Sequence, residues 1–219
     1  MAQYKTVADL RGKRIGVTDP GSSTHMLAQL ILSRAGIKAS EVNFMGVGHA
    51  VGALAAMRSG QIDAISHLDP VMTLLEQKGE VKIISDTRSI RGTLEVFGGP
   101  MPAACLYAHV DYIAQNPNTC QALTHAMVHG LKWLQTAGPS DILKTVPESH
   151  WLGDRALYLA SFDKVREALS TDGLMPPDGA MTALKAMARL DESLKADKID
   201  LSKTYTNDFA RRAKDKFKA

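Results

Sequence analysis

Between Arg14 and Ser85 the chain repeats one pattern, a short β-like run followed by a helix-like run that a glycine closes. Arg14 to Val17, Val42 to Val47, Ile62 to Ser66 and Val81 to Ser85 are the strand candidates. The helices between them are Ser22 to Ala35, Ala50 to Ser59 and Val71 to Lys78, ended by Gly36, Gly60 and Gly79. Glycine serves there because it adopts the left-handed conformation that stops a helix at no steric cost. In the first helix Met26, Leu27, Leu30 and Ile31 recur at the spacing of one buried face. Strands that alternate with helices are joined by crossovers and run parallel, so this half predicts an α/β fold with a parallel sheet.

After Asp86 the pattern changes. Gly92, Gly98, Gly99, Pro100 and Pro102 crowd one short stretch ahead of a further strand candidate, Ala103 to His109, which reads as a hinge or crossover. Beyond it the chain is predicted to be helical over Asn118 to Thr136, Pro139 to Lys144, Asp154 to Leu169, Pro177 to Leu190 and Asn207 to Lys218. Met127, Trp133, Met181 and Met187 sit at helical spacing and are expected in the core. The division expected is 1–101 as an α/β part and 102–219 as a crossover strand with helices.

With 219 residues, 45% of them apolar, the chain can bury a sizeable core. Its net charge is only +3. The basic run Arg211, Arg212, Lys214, Lys216, Lys218 reads as the solvated end of a last helix, so no nucleic-acid partner is expected. The two cysteines, Cys105 and Cys120, lack metal or redox spacing and do not imply a disulfide. The seven histidines form no HxH, HExxH or carboxylate-spaced cluster; no metal and no cofactor are expected. No run approaches a membrane span, and the first residues lack the layout of a signal peptide, so an exported form would take its targeting segment from elsewhere.

The most informative stretch is Asp19-Pro20-Gly21-Ser22-Ser23-Thr24, set between a strand and a helix. Gly21 permits a tight turn, Ser22 or Ser23 can cap the helix, and the free amides of the first turn then face outward at the positive end of the helix dipole. That geometry suits a carboxylate, sulfonate or phosphate, although the serines can equally serve the cap alone. It is neither a dinucleotide fingerprint nor a Walker loop. Other candidates follow strands, where open parallel sheets gather ligands: His49 after the second, His67 and Asp69 after the third. Asp69 can accept from a ligand or cap the helix beginning at Pro70, and each histidine can line a cleft or satisfy a structural bond. No nucleophile, base and orienter set assembles, so no catalytic residue is assigned.

ADLRGKRIGVTDPGSSTHMLAQLILSRAGI, VGALAAMRSGQIDAISHLDPV and VKIISDTR, with GGPMPAACLYAHVDYIAQNPNTCQALTHAMVHGLKWL and IDLSKTYTNDFARRA further on, resemble the nitrate, sulfonate, taurine and thiamine-precursor group of ABC-transporter substrate-binding proteins, the NMT1/THI5-like proteins. The resemblance implies a type II periplasmic-binding-protein fold whose two lobes close on a small solute, delivered to an ABC permease outside the cytoplasm. By the same resemblance 1–101 would be the second lobe, and the later helices would belong mostly to the first. Ser22, Ser23, Thr24, His49 and Asp69 would form one wall of the cleft.

In that family the opening motif follows the first units of lobe one, whereas here it begins at residue 7. The chain is therefore expected to be part of a longer exported protein, or else a short form that self-associates. If the short form folds alone, the C-terminal helices should show an exposed apolar face. Two other classes belong to the same resemblance. A THI5-type pyrimidine-synthesis enzyme needs a cysteine-rich motif, which Cys105 and Cys120 do not make. A regulator's sensor module would carry a DNA-binding helix pair or a membrane anchor.

Overall fold

A computed structural model describes residues 4–219. These divide into two compact units: the described residues through Thr87 together with Val146–Asp163, and Arg88–Thr145 together with Lys164–Ala219.

The first unit is built on a parallel sheet of three strands, β1 (Arg14–Val17), β2 (Asn43–Gly46) and β3 (Ala64–Ile65), in the order β2-β1-β3. Ile15 lies level with both Phe44 and Ala64, and Gly16 with Met45 and Ile65. Because side chains alternate along a strand, these two rows face opposite ways. Ile15, Val17, Phe44 and Ala64 pack with Ala28 and Leu32 of helix α1 (Ser23–Arg34) and with Leu10 and Ile37. On the other face, Ile65 and Val47 meet Ala53 of α2 (Val51–Arg58) and Val71 and Leu75 of α3 (Val71–Gln77). Helices thus cover both faces, as the crossover connections of a parallel sheet require. Each fully buried leucine, Leu32 and Leu75 among them, contributes about 1.5–3 kcal/mol by leaving water.

At the sheet's central strand the close approach falls on Gly16, where a Cβ would come within 2.5 Å of Ile62 Cδ1. At the strand N-termini, Asp63 ties β3 to β1. It accepts from the Arg14 amide at 3.0 Å and from the Arg14 guanidinium at 2.9 and 3.0 Å. Those Arg14 bonds hold the Asp63 carboxyl well below the usual carboxylate range, at about 2.

The second unit is helical: α4 (Ile90–Phe97), α5 (Val110–Gln115), α6 (Pro117–Thr136), α7 (Pro139–Thr145), α9 (Gly179–Leu190) and α10 (Asp208–Phe217), whereas α8 (Arg155–Val165) begins in the first unit. The last helix docks on α6. The Gln121 amide donates to the Phe209 carbonyl at 3.0 Å and accepts from Arg212 Nε at 2.6 Å, and the His129 ring stacks on Phe217 with centroids 4.7 Å apart.

The structure corrects several expectations. Val81 to Ser85 is not a strand: Val81 and Ile84 pack against the two cores, but no ladder forms, so the apolar run reports burial alone. Ala103 to His109 is not a strand either, and its residues are exposed. The Gly/Pro stretch taken as a hinge contains α4, capped by Ser89, whose Oγ accepts from the Gly92 amide at 3.0 Å, and stopped at Gly98 in the left-handed conformation. Met127, Met181 and Met187 are exposed rather than in the core, while Trp133 is half-buried. Both cysteines are free, Cys105 exposed and Cys120 buried.

Candidate functional site

The C-terminal ends of all three strands meet at the N-terminus of α1. The Val47 amide donates to the Val17 carbonyl at 2.9 Å, Gly48 to Thr18 at 3.1 Å, and Ser66 to Gly16 at 2.9 Å. Ser66 Oγ then donates to the Thr24 carbonyl at 2.9 Å, tying the loop after β3 to the first turn of α1. The turn that delivers the chain into this helix requires Gly21, whose φ is +87°.

Ser22 is the N-cap, its Oγ accepting from the His25 amide at 3.3 Å. Thr24 is buried, and its Oγ1 accepts from the Thr18 amide at 3.0 Å. Thr18, Ser22 and Thr24 bring their three hydroxyls within 2.8 to 2.9 Å of one another. Thr18 donates to Ser22, so one sense around the ring, Ser22 to Thr24 and Thr24 to Thr18, satisfies all three protons. In that sense the hydroxyls of Ser22 and Thr24 are consumed in holding the turn.

What is left unpaired is different. Ser23 is exposed, and among the described residues its amide and that of Thr24 make no hydrogen bond. Two unpaired amides at the positive end of a twelve-residue helix attract an anionic or strongly polar group.

The histidines divide. His67 is half-buried and its Nε2 lies 3.0 Å from the Gly48 carbonyl, joining the loops after β2 and β3. His49 is exposed, with its ring centroid 6.5 Å from that of His67. Asp69 caps α3, accepting from the Thr73 amide at 2.8 Å. Thus Ser22, Ser23 and Thr24 come together at one turn, with His49 and Asp69 on the loops that follow the neighbouring strands.

Sequence reasoning passed over Thr18, Ser66 and His25. Thr18 and Ser66 stand at the ends of β1 and β3, so the strand-end rule would have found them had Ser66 not been counted inside its strand. His25 could not be read: the Gly21 amide donates to its Nδ1 at 2.8 Å, which places the neutral ring's proton on Nε2, a buried atom without a partner among the described residues. Its ring packs edge-on to Phe44 with centroids 4.3 Å apart, a contact only the fold creates.

Residues 1–145 match the NMT1-like family. The chain belongs to that family. A relative from Brucella abortus, named as a binding protein, is 27% identical over 138 residues, which are 62% of this chain and 40% of the relative. The matched part of the chain thus spans well under half of that curated relative. A solved structure from Bordetella bronchiseptica is 52% identical, with a TM-score of 0.93 over 99% of this chain and 68% of its own. A second, from Methylobacillus flagellatus, is described as the periplasmic sulfonate-binding protein SsuA of a sulfonate ABC transporter. It is 21% identical, with a TM-score of 0.68, over 99% of this NMT1-like chain and 63% of its own length. These likenesses show the fold of the family member to be the α/β fold of periplasmic binding proteins.

Proposed function

We propose that this NMT1-like protein binds a small anionic or strongly polar solute as the substrate-binding component of an ABC importer, without catalysing a reaction. The observation that carries the reading is the open first turn of α1, with two unpaired amides and the Ser23 hydroxyl at the C-terminal end of a parallel sheet. Sulfonates and nitrate each present three equivalent oxygens that can accept from amides and hydroxyl together; carboxylates and thiamine-precursor pyrimidines are the other members of the class. In this reading the α/β unit is the second lobe of a two-lobed binding protein, the helical unit belongs with the first, and closure on the solute presents the protein to a membrane permease outside the cytoplasm.

Thermal shift against sulfonates, nitrate, carboxylates and pyrimidines tests this. A saturable rise for one class, growing with concentration as mass action requires, supports it. Ser23→Pro removes one amide at a helix position that tolerates proline, behind a Ser22 already extended at ψ 170°. It should weaken binding about tenfold or more, whereas Ser23→Ala, which loses only the hydroxyl, should weaken it less. No saturable shift for any class, either in this chain or in the chain completed with the part of the fold its Bordetella relative adds, overturns the proposal.

A further inference from the structure

One face of α6 carries Gln121, His125, His129 and Lys132, polar side chains on successive turns where a helix that packs on another ordinarily presents apolar ones. All four meet α10. Gln121 holds Phe209 and Arg212 through the bonds already described. The Phe217 ring meets both histidines, edge-on to His125 with centroids 5.6 Å apart and stacked on His129, and Lys132 Nζ donates to the Phe217 carbonyl. From α10 itself, Lys216 Nζ stands 5.5 Å from the centroid of the Phe217 ring, and the Arg212 guanidinium lies over Phe209.

The seam thus holds three permanent cations, Arg212, Lys216 and Lys132. Among the described residues none of them, and neither histidine, pairs with a carboxylate. The acids of the neighbouring segments have other partners. Asp208 of α10 binds Arg211 at 3.2 Å, and Asp111 of α5 lies 3.6 Å from His109. Asp172 binds Lys214 at 2.8 Å, on the turn whose Gly173 approaches Val128 of α6. Asp215, the remaining acid of α10, is exposed. His125 is half-buried in this setting, and its burial, followed by the charges of Lys216 and Arg212, lowers its pKa from the ordinary 6.5.

We propose that the α6–α10 seam is an acid-sensitive latch, in which a proton on the His125 imidazole adds a fourth positive charge to Arg212, Lys216 and Lys132 and loosens the last helix. Like charges without a counter-charge repel, and removal of water from a half-buried ring makes its charged form costlier still. His129 acts the other way, because an imidazolium stacked flat on Phe217 is attracted by the face of that ring. The latch therefore belongs to His125 alone. A group whose folded value lies below its unfolded value of 6.5 leaves the fold intact above that pH and costs stability as pH falls from near 6.5 through the lowered folded value. The latch opens on the acid side of neutrality, with or without a solute in the other unit.

Hydrogen exchange of the full chain at about pH 7.5 and about pH 5.5, corrected for the intrinsic rate at each pH, tests this. On acidification the protection of residues 212–217 should fall at least about threefold more than that of β1. His125→Gln should erase this dependence on pH, whatever it does to protection at either value. Lys216→Gln should shrink the dependence, and His129→Gln should enlarge it. If α10 of the His125→Gln chain does not dock at all, titration of the His125 ring in the parent, followed by NMR, decides instead. A midpoint below 6.5 supports the latch, and one at or above 6.5 overturns it. Equal protection of α10 at the two pH values also overturns it, as does a pH dependence that survives His125→Gln. Protection that rises in acid would hand the seam to the His129 stack and overturn it too.

Discussion

The Thr18 amide donates to Thr24 Oγ1 at 3.0 Å, so the residue that follows β1 is held by the first turn of the helix that comes next. Strand, turn and helix are thereby tied together, and under the proposed solute-binding reading the unpaired amides of Ser23 and Thr24 need no reordering to meet an anion. Preorganised donors bind more tightly because little ordering remains to be done on association.

Thr24→Val keeps the shape of a buried side chain but removes the acceptor for the Thr18 amide. Leaving a buried N–H unpaired costs about 1–3 kcal/mol. The urea midpoint should fall accordingly with the slope unchanged. A midpoint equal to that of the parent would mean the hydroxyl ring does not hold the turn.

Asp63 makes stability depend on pH. Its folded carboxyl is held at about 2 by the Arg14 hydrogen bonds, below its ordinary value of 3.8. A depressed carboxylate stabilises the fold above the unfolded value and loses that contribution as pH falls from near 3.8 through about 2. Asp63→Asn should therefore lower stability at pH 7 by about 1–2 kcal/mol, the size expected of a half-exposed charged pair with good geometry. The gap between parent and variant should narrow as pH falls through that window. Paired urea titrations at neutral pH and at the acid end check it; a constant gap would assign the cost to packing.

Gly52 lies in the first turn of α2, where a Cβ would come within 2.6 Å of the Val47 carbonyl oxygen. Backbone cannot yield as a side chain can, so Gly52→Ala should destabilise by about 1–3 kcal/mol although alanine favours helices. Circular dichroism melts check this. A rise in midpoint would show that α2 can slide away from the loop after β2.

The repeat of short apolar runs and glycine-closed helices was enough to predict β1, β2, β3 and the helices α1 to α3 that interleave with them, because periodicity and helix stops are local properties. The capping role of the serine run was legible for the same reason: a hydroxyl before a helix bonds an amide three residues on. Val81 to Ser85 and Ala103 to His109 show where that logic ends. A strand exists only when another strand offers a ladder, and an apolar run cannot say whether its partner is present. Val81 and Ile84 took core contacts in place of a ladder. Residues 103–109 found neither.

By itself, then, the sequence determined the elements of the α/β unit and the placing of a polar turn after its first strand. Only the tertiary structure decided that Ser22 and Thr24 spend their hydroxyls in a ring with Thr18 while Ser23 stays open, that Asp69 caps α3, and that Met127, Met181 and Met187 face solvent. The physical reasons differ. The bonds of Ser22, Thr24 and Asp69 are local, so spacing allowed the cap and the ligand readings alike and only the folded backbone chose between them; the burial of the methionines is set by which residues distant in the chain become neighbours, and residue spacing carries no record of that.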